Sequence, residues 1–179
     1  MAGAKPGVHV CQLKLPQVHP DLVMGSKFLK IDEDASSVCC YFVLLKVDPK
    51  GYIAYWKDVQ TGQRDTDYMD LYMLRDVRTG KSAKIPRDSK VNDTCSTFGD
   101  SVCCIEDKTV TVCWGNDFVN LQWTSFVAST SDIAKLWCQE LFQYAYNLLS
   151  INVSVGIFHE RAWSKLYYTQ QDGKISVKK

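Results

Sequence analysis

The residues that could do chemistry are few and scattered. The histidines are His9, His19 and His159, and none neighbours a second titratable group in a pattern that would bring an acid and a base onto one substrate. There is no Gly-rich phosphate loop and no nucleophile elbow. The eight cysteines are Cys11, Cys39, Cys40, Cys95, Cys103, Cys104, Cys113 and Cys138. No CxxC pair occurs among them, so a zinc site is not expected. Cys40 and Cys113 lie in strand-like runs and Cys138 lies beside Trp137, which reads as buried, reduced thiols. One basic run stands out, with Arg75, Arg78, Lys81, Lys84, Arg87 and Lys90 against only Asp76 and Asp88. Such a run either faces anionic lipid, where each base contributes about 1 kcal/mol near the surface, or is a solvated loop.

Bulk properties narrow the classes further. A chain of 179 residues fits one domain with room for an appendage. A net charge of +1 argues against a dedicated nucleic-acid binder. No run of about 18 apolar residues is present, so no membrane-spanning helix is expected. The first ten residues lack the apolar core of a signal peptide. Gly3 is one position too late for myristoylation, which needs Gly directly after Met. A monomer is the expectation.

The elements that must position these residues are mostly strands. Residues 1–23, punctuated by Pro and Gly, read as an extended arm. Residues 25–31 (GSKFLKI) read as a first strand, followed by an acidic turn with Asp32, Glu33 and Asp34. In residues 40–47, Tyr41, Val43, Leu45 and Val47 share a face. Asp48-Pro49-Lys50-Gly51 has the composition of a type I turn, and the aromatic-rich run 52–57 returns as the second arm of a hairpin. Residues 64–78 supply one further strand with an extension. Residues 79–107 carry most of the loop signals. Val110, Val112 and Trp114 line one side of the next strand. Val119, Leu121 and Trp123 are expected to face the core in the one after it.

The strongest helical period lies in residues 130–150. Ile133, Leu136, Trp137, Leu141, Tyr144, Ala145 and Leu148 form an apolar face, opposite a polar stripe of Gln139, Gln143 and Asn147. Ser129 and Asp132 have capping-box spacing. Residues 155–168 are spaced for another helix. The expected class is mainly β with C-terminal α: a curled antiparallel sheet capped by one helix around Trp137, then a second short helix. This resembles a pleckstrin-homology fold, with Trp137 as its structural anchor.

The motifs MAGAKPGVH (1–9), GSKF (25–28), VDPKGY (47–52), Tyr55-Trp56, DVRTG (76–80), IPRD (85–88), DFVN (117–120), AKLW (134–137), RAWSKL (161–166) and DGKI (172–175) resemble, in order, the N-terminus of the phospholipase C-beta family. The likeness departs in the Cys- and Ser-rich stretch 93–105. Members of that family are phosphoinositide phospholipases C with a pleckstrin-homology domain, EF-hands, a catalytic barrel and a C2 domain. The resemblance implies a pleckstrin-homology domain over 24–150 and the truncated start of the EF-hand region over 151–179. It implies that the chain is a fragment, an incomplete gene model or a short splice form. The family's Ser-His-Asn-Thr stretch is absent, so no catalytic residue is expected here, no cofactor is expected in this chain, and calcium belongs to the parent's barrel. The parent would cleave phosphatidylinositol 4,5-bisphosphate to inositol trisphosphate and diacylglycerol.

The resemblance further implies a cytoplasmic, peripherally membrane-associated docking module for membrane surfaces, G-protein βγ dimers or a Rac-type small GTPase. Tyr52 and Tyr55 are its candidate protein-docking anchors. Pleckstrin-homology domains often hold phosphoinositides through bases on the first hairpin. Here Lys27 and Lys30 precede a turn whose Asp32, Glu33 and Asp34 would repel a polyphosphate. The tail also fails as a calcium loop. With Gly173 at the sixth position, only Asp172 offers a carboxylate and Lys179 occupies the twelfth, where a bidentate Glu belongs.

Overall fold

In the computed structural model, the described residues are 17–33, 38–59, 66–86, 88–117, 119–150 and 155–169, with the side chains of 33, 147–150 and 155–158 outside that description. Asp32 and Glu33, expected in the acidic turn, end strand β1 instead; the turn from residue 34, Arg87 and the tail from residue 170, including the calcium-loop reading, lie outside the described residues.

The order of elements is α1 (Pro20–Met24), β1 (Ser26–Glu33), β2 (Val38–Val47), β3 (Ile53–Asp58), β4 (Asp67–Asp70), β5 (Leu74–Arg78), α2 (Ser89–Thr97), α3 (Ile105–Lys108), β6 (Thr109–Trp114), β7 (Gln122–Ala128), α4 (Ser131–Ser150) and α5 (Val155–Thr169). The strands form one seven-stranded sheet in the order β4-β3-β2-β1-β7-β6-β5, with every pairing antiparallel. It is the curled half-barrel of a pleckstrin-homology fold, mostly β with helices.

The inner face carries the larger core. Phe28, Val43, Leu45, Val47, Val110, Val112 and Phe126 meet α4 through Ala134, Trp137 and Leu141. Trp137 is 0% exposed. Its ring meets Phe28 edge-on at 5.3 Å, and its Nε1 donates to Ser26 Oγ at 3.2 Å. A buried indole N–H needs such a partner. The β2–β3 turn is fixed by Asp48, whose carboxylate accepts from the backbone N–H groups of Lys50, Tyr52 and Ile53 at 3.1, 2.5 and 2.8 Å. Gly51 ends the turn at φ 72°, where a Cβ would lie 2.2 Å from the Tyr144 ring. Only glycine meets both demands. Tyr144 in turn donates to the Lys50 carbonyl at 3.0 Å, tying α4 to the hairpin.

The outer face of β1 and β7 is also covered. Leu29, Ile31 and Val127 pack with Val91 and Cys95 of α2 and Ile105 of α3. Neighbouring residues Phe28 and Leu29 are therefore buried on opposite faces, as strand alternation requires when both sides are covered. Lys108 is 0% exposed. Its ammonium donates to the carbonyls of Ser96, Phe98 and Asp100 at 3.1, 2.8 and 2.8 Å. Those carbonyls lie at and beyond the C-terminal end of α2, where a cation satisfies orphaned acceptors.

Several sequence expectations are corrected. The arm expected over 1–23 is helical at Pro20–Met24, with Leu22 buried, because Pro at the first position and His19 as N-cap start a turn and the core takes the Leu side chain. The irregular stretch 79–107 contains α2 and α3. The Asp88 carboxylate caps α2, accepting from Lys90 N at 2.9 Å and Val91 N at 3.1 Å, but only Val91 and Cys95 are buried, too few to give a period. Trp123 does not face the inner core. The Asp117 carboxylate holds the backbone of Val119 and Asn120 in a turn, so β7 begins at Gln122 and Val119 is 88% exposed. Phe126 and Ala128 then point inward, and Trp123 points out. At α4, Thr130 rather than Ser129 accepts from the N-terminal turn, with Oγ1 3.4 Å from Ile133 N.

Candidate docking surfaces

Three surfaces bear on function. The first is the inner mouth beside the β1–β2 turn. Lys30 follows Phe28 on the inner side of β1. Its ammonium bonds the Asp32 carboxylate and the Tyr41 hydroxyl at 2.8 Å, and lies 4.9 Å from the Tyr41 ring centroid and 5.8 Å from that of Trp56. Lys30 is 6% exposed. The base that would meet a head group from this side is consumed inside the molecule. Burial, and then the Asp32 carboxylate, push the Tyr41 phenol well above its ordinary value. Lys27 points the other way, 4.2 Å over the Phe42 ring.

The second surface is the outer rim, where the basic run falls. The Lys84 backbone is stitched to the sheet: its N–H donates to Thr111 Oγ1 at 2.8 Å and its carbonyl accepts from Ser125 Oγ at 3.1 Å. The two hydroxyls bond each other at 3.0 Å. This holds the Lys84 ammonium 4.0 Å from the Trp123 ring centroid, with the Arg78 guanidinium 4.8 Å from the same ring. A cleft of about 460 Å³ opens beside them, lined by Ile31, Asp32, Cys39, Lys84, Pro86, Trp123 and Ser125. Arg78 also bonds Asp76 at 2.5 Å. Lys81 and Lys90 are exposed. Arg75 belongs elsewhere: it donates to the carbonyls of Gly115 and Asn116 at 3.1 and 3.3 Å, closing the β6–β7 turn. The sequence run therefore splits, with Arg78 and Lys84 gathered at Trp123 and Arg75 taken by structure. Trp123 is the member that sequence reasoning missed; only the β7 register turns it outward.

The third surface is the face of β3 and β4, and α5 covers it. Tyr52 is 4% exposed, with its hydroxyl donating to Glu160 at 3.1 Å. Burial, then Glu160, raises its phenol to about 12. Tyr55 stacks on Tyr168. Lys50 pairs with Glu160 at 3.2 Å and Lys165 with Asp70 at 3.6 Å, and Arg161 lies 3.6 Å from the Tyr72 ring centroid. Tyr52 and Tyr55 are thus held against the chain's own helix. The spacing of a single strand, which singled them out as docking anchors, does not show what packs on it.

Among the described residues no group of three or more His, Cys, Asp or Glu converges as a metal site would. No helix among them is long and apolar enough to cross a membrane.

A curled seven-stranded sheet plugged by one helix with a central Trp defines a pleckstrin-homology domain. The PH domain family profile matches residues 17–152, and the chain belongs to that family. The likeness extends to a particular kind of protein, the N-terminal region of phospholipase C-beta. The chain is 37% identical over 179 residues to 1-phosphatidylinositol 4,5-bisphosphate phosphodiesterase beta-1 of Mus musculus, covering 99% of this chain and 14% of that protein. It is also 37% identical over 172 residues to the phosphodiesterase classes I and II of Drosophila melanogaster, with 96% and 12% covered. Among solved structures, the S. officinalis PLC21 crystal structure matches with a TM-score of 0.75 and 42% identity, over 92% of this chain and 20% of that one. The L. pealei PLC21 structure matches at 0.74 and 44%, over 88% and 19%. The chain spans about one seventh of the length of the curated relatives it matches.

Proposed function

We propose that this chain is the docking module of a phosphoinositide phosphodiesterase, and that it meets anionic membranes through the outer rim around Lys84 and Trp123 without selecting a head group. The observation that carries this reading is the fate of Lys30. With its ammonium committed to Asp32 and Tyr41, Lys30 is not free to meet a polyphosphate, while Lys81, Lys84 and Lys90 are exposed. An ammonium beside an indole at a rim suits the membrane interface, where an aromatic ring tolerates half-burial. Phosphodiester cleavage is the activity for which the longer relatives are named, and it comes to this chain only as the activity of a parent protein.

Liposome sedimentation tests the reading. Equal binding is expected to vesicles containing phosphatidylinositol 4,5-bisphosphate and to phosphatidylserine vesicles of matched surface charge. The triple reversal Lys81→Glu, Lys84→Glu and Lys90→Glu should weaken both together. At about 1 kcal/mol per base removed, loss of the three attractions alone lowers affinity on the order of 100-fold. A clear preference for the phosphoinositide at equal charge overturns the proposal.

Docking of a G-protein βγ dimer or a Rac-type GTPase on Tyr52 and Tyr55 is consistent with the family's regulatory role only if α5 leaves the β3–β4 face first. Pull-down with and without a disrupted α5 contact separates that route from binding elsewhere.

A further inference from the structure

Cys40 of β2 and Cys95 of α2 come from elements more than fifty residues apart and meet in one place. Cys95 is buried in the outer-face cluster with Leu29, Val91 and Val127, and Cys40 packs against the same cluster from the strand side. The two thiols lie close enough for each to influence the other's titration. Both are free, and Cys40 is half-buried where Cys95 is fully buried. One thiol thus reaches solvent and the other waits behind it, the arrangement of an attacking and a resolving cysteine. Two short side chains that share one packed cluster can rotate toward each other, and the bonded separation is ~2.05 Å.

We propose that Cys40 and Cys95 are an oxidisable dithiol that closes to a disulfide by exchange with a small-molecule disulfide of the glutathione class. The half-exposed Cys40 thiolate attacks one sulfur of oxidised glutathione. A Cys40–glutathione mixed disulfide forms, and one glutathione leaves as thiolate and takes up a proton. Cys95 then gives its proton to solvent and attacks the Cys40 sulfur, expelling the second glutathione. Two protein thiols are oxidised and one glutathione disulfide is reduced to two thiols. Burial holds both cysteines above the ordinary 9.0 and Cys95 at about 12, so closure is slow and, once formed, shielded. The bond would staple α2 to the sheet beside the cleft at Lys84.

The test uses the full chain carrying Cys39→Ser, which removes the exposed neighbour and makes the linkage assignable. After incubation with oxidised glutathione, acid quench, alkylation and digestion, mass spectrometry should find the Cys40 and Cys95 peptides joined, and released by dithiothreitol. Amide exchange within α2 should slow in the oxidised protein. Adding Cys95→Ser should leave the reaction stopped at a glutathione adduct on Cys40. A Cys40 adduct that persists while Cys95 is present, an unmodified Cys40, or linkage of either residue to Cys103 or Cys104 overturns the proposal.

Discussion

Tyr55 of β3 and Tyr168 of α5 stack with ring centroids 4.9 Å apart and planes 25° from parallel. The pair joins the second helix to the sheet through aromatic surface rather than deep burial. Elsewhere the outer side of α5 stays open, with Trp163 61% exposed. An aromatic pair of this kind contributes about 0.5–1.5 kcal/mol beyond area burial. Tyr168→Ala should therefore raise the opening of α5 about tenfold. Hydrogen exchange of α5 amides checks this, with α4 amides unchanged as the internal control.

Acid should loosen the same contact. The Lys50 ammonium and then the Tyr52 hydroxyl hold the Glu160 carboxyl below its ordinary 4.5. A depressed folded-state value means the carboxylate favours docking above pH 4.5 and loses that contribution as pH falls through the lower folded value. Exchange of α5 should be flat from neutral pH down to about pH 5 and rise below it, after correction for intrinsic rates. Glu160→Gln should abolish that rise. Added salt should mimic it in part, since both partners are half-exposed.

Trp137→Ala removes the largest fully buried side chain and the Ser26 bond. Truncating such an aromatic costs about 3–5 kcal/mol. Urea unfolding of the two proteins measures it, and a loss under about 1 kcal/mol contradicts the packing described for α4.

Lys108→Met should act locally. It keeps the stem's volume but leaves three carbonyls at the end of α2 without a donor, each group costing roughly 1–3 kcal/mol when buried and unmet. Removing a buried charge offsets part of this, so a net loss of about 2 kcal/mol is expected. Amide exchange should quicken in α2 before the rest of the sheet.

Gly51→Ala sets backbone strain against α4 packing. Positive φ and the Tyr144 ring both oppose a Cβ, and a loss of about 1–3 kcal/mol is expected. Thermal melts of the variant alone and combined with Tyr144→Ala, which removes the ring, check it. If the ring contact alone mattered, the double variant would differ little from Tyr144→Ala.

How much of this was legible depended on whether the signal was local. Alternation in 41–47 and 110–114, the Asp48–Gly51 turn and the apolar face around Trp137 are properties of neighbouring residues, and the structure has the alternation, the turn and, on the helix, Ile133, Trp137, Leu141, Tyr144 and Ala145 packed in the core. They fix a strand, a turn and an amphipathic helix because side-chain period and backbone geometry are set within a few residues. The motifs spread from residue 1 to residue 175 also identified the family. Other features belong to pairs far apart in sequence. Trp123 faces outward because β7 turns Phe126 and Ala128 inward, one residue out of phase with the apolar spacing of 119–123. Lys30 is lost to ligand binding because Tyr41 and Asp32 close on it. Tyr52 and Tyr55 are covered because α5 returns across more than a hundred residues. Composition and spacing determined that a curled sheet would be plugged by a tryptophan-bearing helix. Which bases and rings remain for a partner was decided only by tertiary contacts, since a side chain's availability depends on what packs against it and not on its own type.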